Sequence, residues 1–537
     1  MTRLINYKTL FFFTVAFYCF VLTQFGFENF DTGYIPSFSW RIVNGQSVYE
    51  DFIYKGPPVT LYFHALFMKI LPETAQFLQI RMLGYLMFAV QVYLLVSAFY
   101  KLYKLSKFNR WGVMTVGFVV SLLNFSQFPW PTTDGLLFAV IAFWLVSKYE
   151  KPRFFMLFAV ACFAMLSALT KQSFYLVPAF FTFWILNRYG WKAAVIFCSQ
   201  LLLLVAMYVG WILSITDWQN FIHQTTGQTP LIYLYYSGIH NYTFLPISWL
   251  AGFLVFLSVA AFLYLRITKQ KWQVLPSMLR WIAVAGLAIA CVCFFFAARL
   301  ASRIAFDAAV LAAVYAFFRN RNWNAAIPVW VVLGIAWSCS ISLGYDYPIL
   351  FATGILLAFL VSVPVNINPK YYLWLGLPIC LSAFAYNVRP YREANIFSLQ
   401  YPLDGVSAKL KFIKTNKQYQ EKHLELKALV DQYGKNFIVA PSLPMAHYLF
   451  NTQSKLPCDW IIETEIDQQH QRILKLAADK NNYVFLEKSF LNHEEYVQDN
   501  LAEFSSIGVF IHDKFEKIAE TKHFIVYHSL KANERLP

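Results

Sequence analysis

Acidic residues are scarce where most of the chain lies: the first 387 of 537 residues hold only ten of its 29 Asp and Glu. Charge of either sign makes up 14% of the chain, against 58% hydrophobic and 19% aromatic residues. So small a supply of solvated side chains excludes an ordinary soluble protein of this size and points to a polytopic membrane protein with a smaller soluble part. Nucleic acid is not needed to explain the net charge of +15, because membrane topology accounts for the cations.

Other absences narrow the class further. The eight cysteines form no redox or metal pattern: seven fall in apolar windows, where a thiol packs as a small apolar group, and the tail has Cys458 alone, which excludes an intradomain disulfide. There is no histidine cluster, no nucleotide-sugar signature and no soluble Rossmann-like pattern. No internal repeat of the kind that builds secondary transporters is visible. The basic, apolar N-terminus has a long apolar run and no small-residue cleavage site before Gln24, so it reads as a retained anchor.

What is present is a series of apolar windows, about thirteen, at 9–25, 78–100, 111–128, 135–147, 154–170, 173–187, 193–215, 245–265, 281–299, 304–318, 325–343, 348–364 and 371–387. The fold expected is an α-helical polytopic membrane protein of about 11–13 spans over residues 1–387, followed by an α/β domain over 388–537. With a cytoplasmic N-terminus, the cytoplasmic segments carry eighteen Lys and Arg, including the clusters 101–110 and 266–280, against one acid, Glu150. The opposite face holds seven cations and nine acids before the tail. The positive-inside rule therefore places that face, and the chemistry, outside the cytoplasm.

The first outer loop, 26–77, carries the densest cluster of acids in this part: Glu28, Asp31 and Asp51 lie close to Lys55 and the pair Pro57–Pro58. Residues 59–71 and 35–43 read as helices lying on the outer leaflet, because counting 59–71 as a span would invert every later loop. From Val388 the composition changes to nineteen Lys and Arg with nineteen Asp and Glu. Helical periodicity at 419–433, 467–478 and 494–504 alternates with strand-like runs at 437–440, 483–486 and 523–528.

Further polar groups fall at the same face. FPWPTTDG places Asp134 at the mouth of a span, TKQ places Lys171 and Gln172 between two short spans, and Arg299 and Arg303 flank the next outer turn. SISLGYDYP puts Tyr345 and Asp346 at another outer connection, and NVRPYR opens the tail. Ionisable groups are expensive at membrane depth, so Asp31, Asp134, Lys171, Arg299, Arg303 and Asp346 on one face imply a shared polar cavity.

FDTGY with Asp31, NGQSVYEDF with Asp51, KGPP, Arg81, PTTDG and ALTKQ together resemble the GT-C superfamily of membrane glycosyltransferases, the group of protein O-mannosyltransferases and lipid A aminoarabinose transferases. The resemblance covers about residues 1–190. It implies a polyprenyl-phosphate sugar donor, a lipid-linked or protein acceptor, and a bacterial inner membrane with the active site on its outer side. Asp31 is then the general base, and Lys171, Arg299 and Arg303 hold the departing phosphate. Glu28, Lys55 and Gln172 are counted with the substrate-binding residues. Asp51, Asp134 and Asp346 bind sugar hydroxyls, a divalent ion or the cations, and Tyr345 suits stacking on a sugar. A divalent metal stays open as a cofactor: many relatives have adjacent acids in this loop, whereas Asp31 is followed by Thr32.

An O-antigen-type polysaccharide polymerase and a polytopic transporter are the alternative readings. The orientation has its own test in single-cysteine labelling. A cysteine placed in the tail is expected to react in intact cells and one in 101–110 only after permeabilisation; the reverse pattern overturns the orientation.

Overall fold

The computed structural model describes residues 6–105, 109–123, 128–226, 231–243, 298–341, 348–362, 383–466, 469–494, 500–531 and 534–536. Within them a helical bundle precedes a region built on a four-stranded sheet. The bundle contains α1 (Tyr7–Phe20), α2 (Asp31–Val43), α3 (Val59–Ile70), α4 (Gln76–Tyr103), α5 (Arg110–Ser121), α6 (Pro131–Lys148), α7 (Phe154–Ala168), α8 (Val177–Tyr189) and α9 (Trp191–Ile215). Two shorter helices, α10 (Trp218–Thr226) and α11 (Leu231–Thr243), precede the helices Ala298–Asn320, Trp323–Ser340 and Ala352–Ser362.

Among the described residues four helical segments are long and apolar enough to cross a membrane: Tyr7–Gln24, Gln76–Tyr103, Trp191–Ile215 and Trp323–Ser340. The expected windows at 111–128, 135–147, 154–170, 173–187, 304–318 and 348–364 are also helical, over shorter or less apolar stretches. The window 245–265 lies outside the described residues, as do most of 281–299 and 371–387.

Helix α6 is central, buried along almost its whole length and packed against α4, α7 and α8. Its glycine has a packing reason: a Cβ on Gly135 would stand 2.6 Å from Thr170 Oγ1, and the Gly135 carbonyl accepts the Ser167 hydroxyl at 2.8 Å. The PTTDG and ALTKQ stretches are thereby pressed together at one end of the bundle.

Two expectations are corrected here. Helix α2 does not lie free as an interfacial helix; it is sandwiched between α3 and the C-terminal region, with Ile35, Phe38 and Arg41 buried. Trp40 Nε1 donates to the Thr452 carbonyl at 2.8 Å, and a Cβ on Gly33 would meet Met445 at 2.9 Å, so only glycine permits this approach. Second, no turn separates Arg299 from Arg303, because both belong to the continuous helix Ala298–Asn320. Helix α3 is amphipathic in the expected way, with His64 and Leu61 buried and Leu66 and Ile70 exposed.

The C-terminal sheet runs in the order β3 (Phe437–Ala440), β4 (Tyr483–Glu487), β6 (Phe524–Leu530), β5 (Phe515–Glu520), after a small ladder of β1 (Tyr401–Pro402) and β2 (Lys414–Thr415). β3 pairs parallel with β4, and the remaining neighbours are antiparallel. Alternation assigns the two faces: Val439, Phe485 and Val526 pack with Leu426 and Leu429 of the helix Lys417–Tyr433, while Ile438, Val484, Leu486 and Ile525 pack with Ile473 and Ile511. The edge strand β5, FEKIAE, went unseen in the sequence because an exposed edge needs no continuous apolar alternation. The helix expected at 494–504 begins at Leu501, capped by Asn500, and a kink at Ser505, whose backbone is extended, separates it from the helical turns that follow to Lys514.

Among the described residues, the bundle and this region are joined by apolar packing of Phe27, Met68 and Phe77 on Leu403, Leu410 and Tyr448, and by ion pairs, the most buried of them Arg41 with Asp459. Arg41 Nε and Nη2 reach Asp459 Oδ2 and Oδ1 at 2.6 and 2.7 Å. Removing one partner strands the other charge, so Asp459→Ala is expected to destabilise the chain by about 3–5 kcal/mol, and Arg41→Met with Asp459→Leu together by much less. Denaturant unfolding followed by tryptophan fluorescence reads both; an unchanged midpoint in Asp459→Ala would show that the pair contributes nothing.

Candidate active site

Asp31 opens α2 as its first residue, half-buried, in the first turn, where the helix dipole favours a negative charge. Two residues from far along the chain hold it: Tyr391 Oη donates to Asp31 Oδ2 at 2.7 Å, and Arg392 Nη2 lies 3.4 Å from the same oxygen. Arg392 also reaches Glu28 Oε1 at 3.4 Å, so one guanidinium serves two carboxylates. Its backbone sits in the left-handed region at φ +55°, a conformation uncommon for a non-glycine residue and found more often at functional sites than elsewhere. Glu28 in turn accepts the Thr32 backbone N–H at 3.2 Å, satisfying one of the unpaired amides at the start of α2.

Burial beside Asp31 pushes the Glu28 carboxyl up to about 7, with Arg392 and the Thr32 amide opposing the shift. Next to it Asn29 is buried, and neither its Nδ2 nor its Oδ1 has a hydrogen-bond partner.

A second carboxylate-centred group adjoins the first. Lys55 Nζ stands 3.5 Å from Glu465 Oε1, and Tyr34 Oη donates to Glu465 Oε2 at 3.2 Å. Burial raises the Glu465 carboxyl, and Asp31 adds to that shift against the pull of Lys55. Aromatic rings connect the two groups: Tyr34 meets Trp130 at 6.1 Å and Trp460 at 5.6 Å, while Phe128 touches both Trp130 and Tyr391. The indole Nε1 of Trp460 is buried with no acceptor. Carboxylates among aromatic faces and free N–H donors form a setting that suits a polyhydroxylated ligand.

The remaining expected residues divide. Asp134, fully buried in the first turn of α6, pairs with His64 Nε2 at 3.1 Å rather than with a cation of the expected set. Lys171 donates to Thr132 Oγ1 at 3.4 Å in the turn after α7, and burial pulls its ammonium down to about 8. Among the described residues no carboxylate lies within ion-pair distance of it.

Gln172 works as a tie: its Nε2 donates to the Lys55 carbonyl at 2.5 Å and to the Thr225 carbonyl at 3.4 Å, and its own carbonyl accepts from Tyr235. Asp51 is exposed and closes its own turn on the Ser47 N–H at 2.6 Å, away from the Asp31 group. Arg303 is half-buried on its helix, the side chain of Arg299 lies outside the description, and Tyr345 and Asp346 lie outside the described residues.

Among the described residues, the expected polar residues fall into adjoining groups. Asp31 with Glu28, Tyr391 and Arg392 is one, Lys55 with Tyr34 and Glu465 a second, and Asp134 with His64 a third. Sequence reading missed His64, Tyr391, Glu465 and Trp460 as members. His64 had a signal, as a lone polar side chain on the buried face of an apolar helix; Glu465 had none. Among the described residues no group of three or more His, Cys, Asp or Glu is arranged to hold a metal ion. No family model, curated protein or solved structure matches the chain.

The position of Glu28 has a pH signature. Its raised folded-state value means that its contribution to stability is fully present below about 4.5 and is lost as pH rises through about 7. Compared with Glu28→Gln, the wild-type melting temperature is expected to fall further between about pH 5 and pH 8. A difference between the two proteins that stays constant across that range would show that Glu28 titrates in the ordinary carboxylate range.

Proposed function

We propose that the chain is a GT-C-like membrane glycosyltransferase that moves a sugar from a polyprenyl-phosphate donor to a lipid-linked or protein acceptor on the non-cytoplasmic face. The observation that carries this reading is the half-buried Asp31 carboxylate, held by Tyr391 and Arg392 beside the aromatic faces of Tyr34 and Trp130. In the proposed step the acceptor O–H loses its proton to Asp31 as its oxygen bonds the anomeric carbon. The anomeric C–O bond to the donor breaks at the same centre, and its electron pair leaves on the polyprenyl phosphate.

That phosphate needs fixed positive charge. Lys171 supports this part of the reading, since its part-buried ammonium at the end of the bundle donates to the Thr132 hydroxyl and, among the described residues, has no carboxylate to neutralise it. Lys55, in the same outer loop as Asp31, is a second cation within the group. Tyr391 and Arg392 orient the Asp31 carboxylate, both through Oδ2, which leaves Oδ1 clear of those two bonds. The apolar helices keep the polyprenyl tail in the bilayer while the loop 26–58 meets the acceptor from the aqueous side.

Purified protein in nanodiscs, given a polyprenyl-phosphate sugar, is expected to consume it, and Asp31→Asn to lower turnover by about 10²–10⁴-fold with little change in donor binding. Full transfer by a folded Asp31→Asn protein would take the base away from Asp31. Movement or binding of a solute without donor consumption would replace the glycosyltransferase reading with a transporter.

A further inference from the structure

Four consecutive residues, Pro390 to Glu393, each touch the loop that leads into α2. A Cβ on Gly26 would stand 2.6 Å from Pro390 Cβ, Tyr391 Oη donates to Asp31 Oδ2 at 2.7 Å, and Arg392 reaches both Glu28 and Asp31 at 3.4 Å. Glu393 Oε1 accepts the Phe27 backbone N–H. The four residues form a turn, closed by the Glu393 N–H on the Pro390 carbonyl at 3.1 Å. Arg392 fills the third place of that turn at φ +55°, where a positive φ usually calls for glycine or asparagine.

The loop is fixed from its other sides as well. Gly26, at φ +89°, donates its N–H to the Lys414 carbonyl at 2.8 Å. Arg81, buried in α4, donates to the Gly26 carbonyl at 2.7 Å and to the Thr23 carbonyl at 3.1 Å. The backbone just ahead of Glu28 and Asp31 is thus held between the bundle and β2.

Glu393 joins the turn to that held backbone. Half-buried, it takes the Phe27 N–H on Oε1 and the Thr415 hydroxyl on Oε2 at 3.1 Å, while its own N–H closes the turn. Both oxygens are engaged within the chain, which suits an anchor better than a group that meets substrate. Its immediate neighbours are the two residues that hold Asp31.

We infer that Glu393 is a positioning residue for the reaction proposed above: it pins the turn bearing Tyr391 and Arg392 onto the loop bearing Asp31, and so sets where the Asp31 carboxylate points. The inference rests on the reading of Asp31 as the base. A reacting group must be held within about 0.5 Å of its productive place, and a misplacement of about 1 Å can cost about 10²-fold in rate. Arg392 in a left-handed conformation costs free energy, so it persists only where surrounding contacts outweigh that cost. The Glu393 bonds are contacts of this kind.

Turnover and donor binding, measured on the full chain in nanodiscs with a polyprenyl-phosphate sugar, test the role. Glu393→Gln keeps an oxygen for the Phe27 N–H, and its amide can meet the Thr415 hydroxyl, so its turnover is expected to stay close to that of wild type. Glu393→Ala removes both bonds and is expected to lower turnover by about 10–100-fold at unchanged donor affinity. Glu393→Asp, one methylene shorter, keeps the charge without the reach; it is expected to be slower than Glu393→Gln and serves where the alanine protein does not fold. In a protein already lacking both orienting groups, Tyr391→Phe with Arg392→Ala, Glu393→Ala is expected to cost little more, because it acts through them. Full turnover by Glu393→Ala or, where that protein does not fold, by Glu393→Asp would overturn the role. So would a Glu393→Gln protein as slow as Glu393→Ala, or an equal further loss in the Tyr391→Phe, Arg392→Ala background. A wild-type protein that consumes no donor overturns the glycosyltransferase reading itself, and this role with it.

Discussion

The buried pair Arg41–Asp459 is the constraint on which the rest depends. Two charges out of water are tolerated only when their geometry is good, and here the guanidinium meets both carboxylate oxygens at 2.6 and 2.7 Å. The pair joins residues 418 positions apart and locks α2 against the C-terminal region. The Trp40 contact with Thr452 and the close approach at Gly33 act along the same helix. With α2 held along its length, its first residue, Asp31, has a defined place. The strand-bearing region is thus part of the candidate site's construction.

That construction concentrates carboxylates. Glu28, Asp31 and Glu465 stand near one another, and the chain counters their repulsion with few cations: Arg392 shared between two acids, and Lys55 on the third. Burial and mutual repulsion raise Glu28 and Glu465, while Arg392 and Lys55 limit the rise. Tyr391 and Arg392 reach this place because the NVRPYR stretch lies where the chain leaves the bundle.

The third group ties the loop to the helices. His64 and Asp134 meet inside the packing of α3 on α6, each nearly solvent-free, and so fix α3 against the central helix. Gln172, bonded to the carbonyls of Lys55 and Thr225, binds the same loop to α10. An apolar, amphipathic α3 with exposed Leu66 and Ile70 is in this way joined by one polar contact to the bundle's most buried helix.

Local signals made part of this legible. Apolar runs of spanning length located most helices of the bundle, and short strand-like runs located β3, β4 and β6, because each pattern is carried by neighbouring residues. The scarcity of acids drew attention to the loop holding Glu28, Asp31 and Lys55, which the structure places in adjoining polar groups. Asp51 carried the same signal but only closes a turn, since a carboxylate four residues from an amide can satisfy itself locally. The partners were beyond reach: Tyr391 lies 360 residues from Asp31, Glu465 431 from Tyr34, and His64 seventy from Asp134. Composition and periodicity are properties of short stretches, so the sequence by itself determined the helical, apolar body, the α/β tail and the acidic loop. Which carboxylate meets which cation depends on how distant helices and strands pack, and only the tertiary structure decided it.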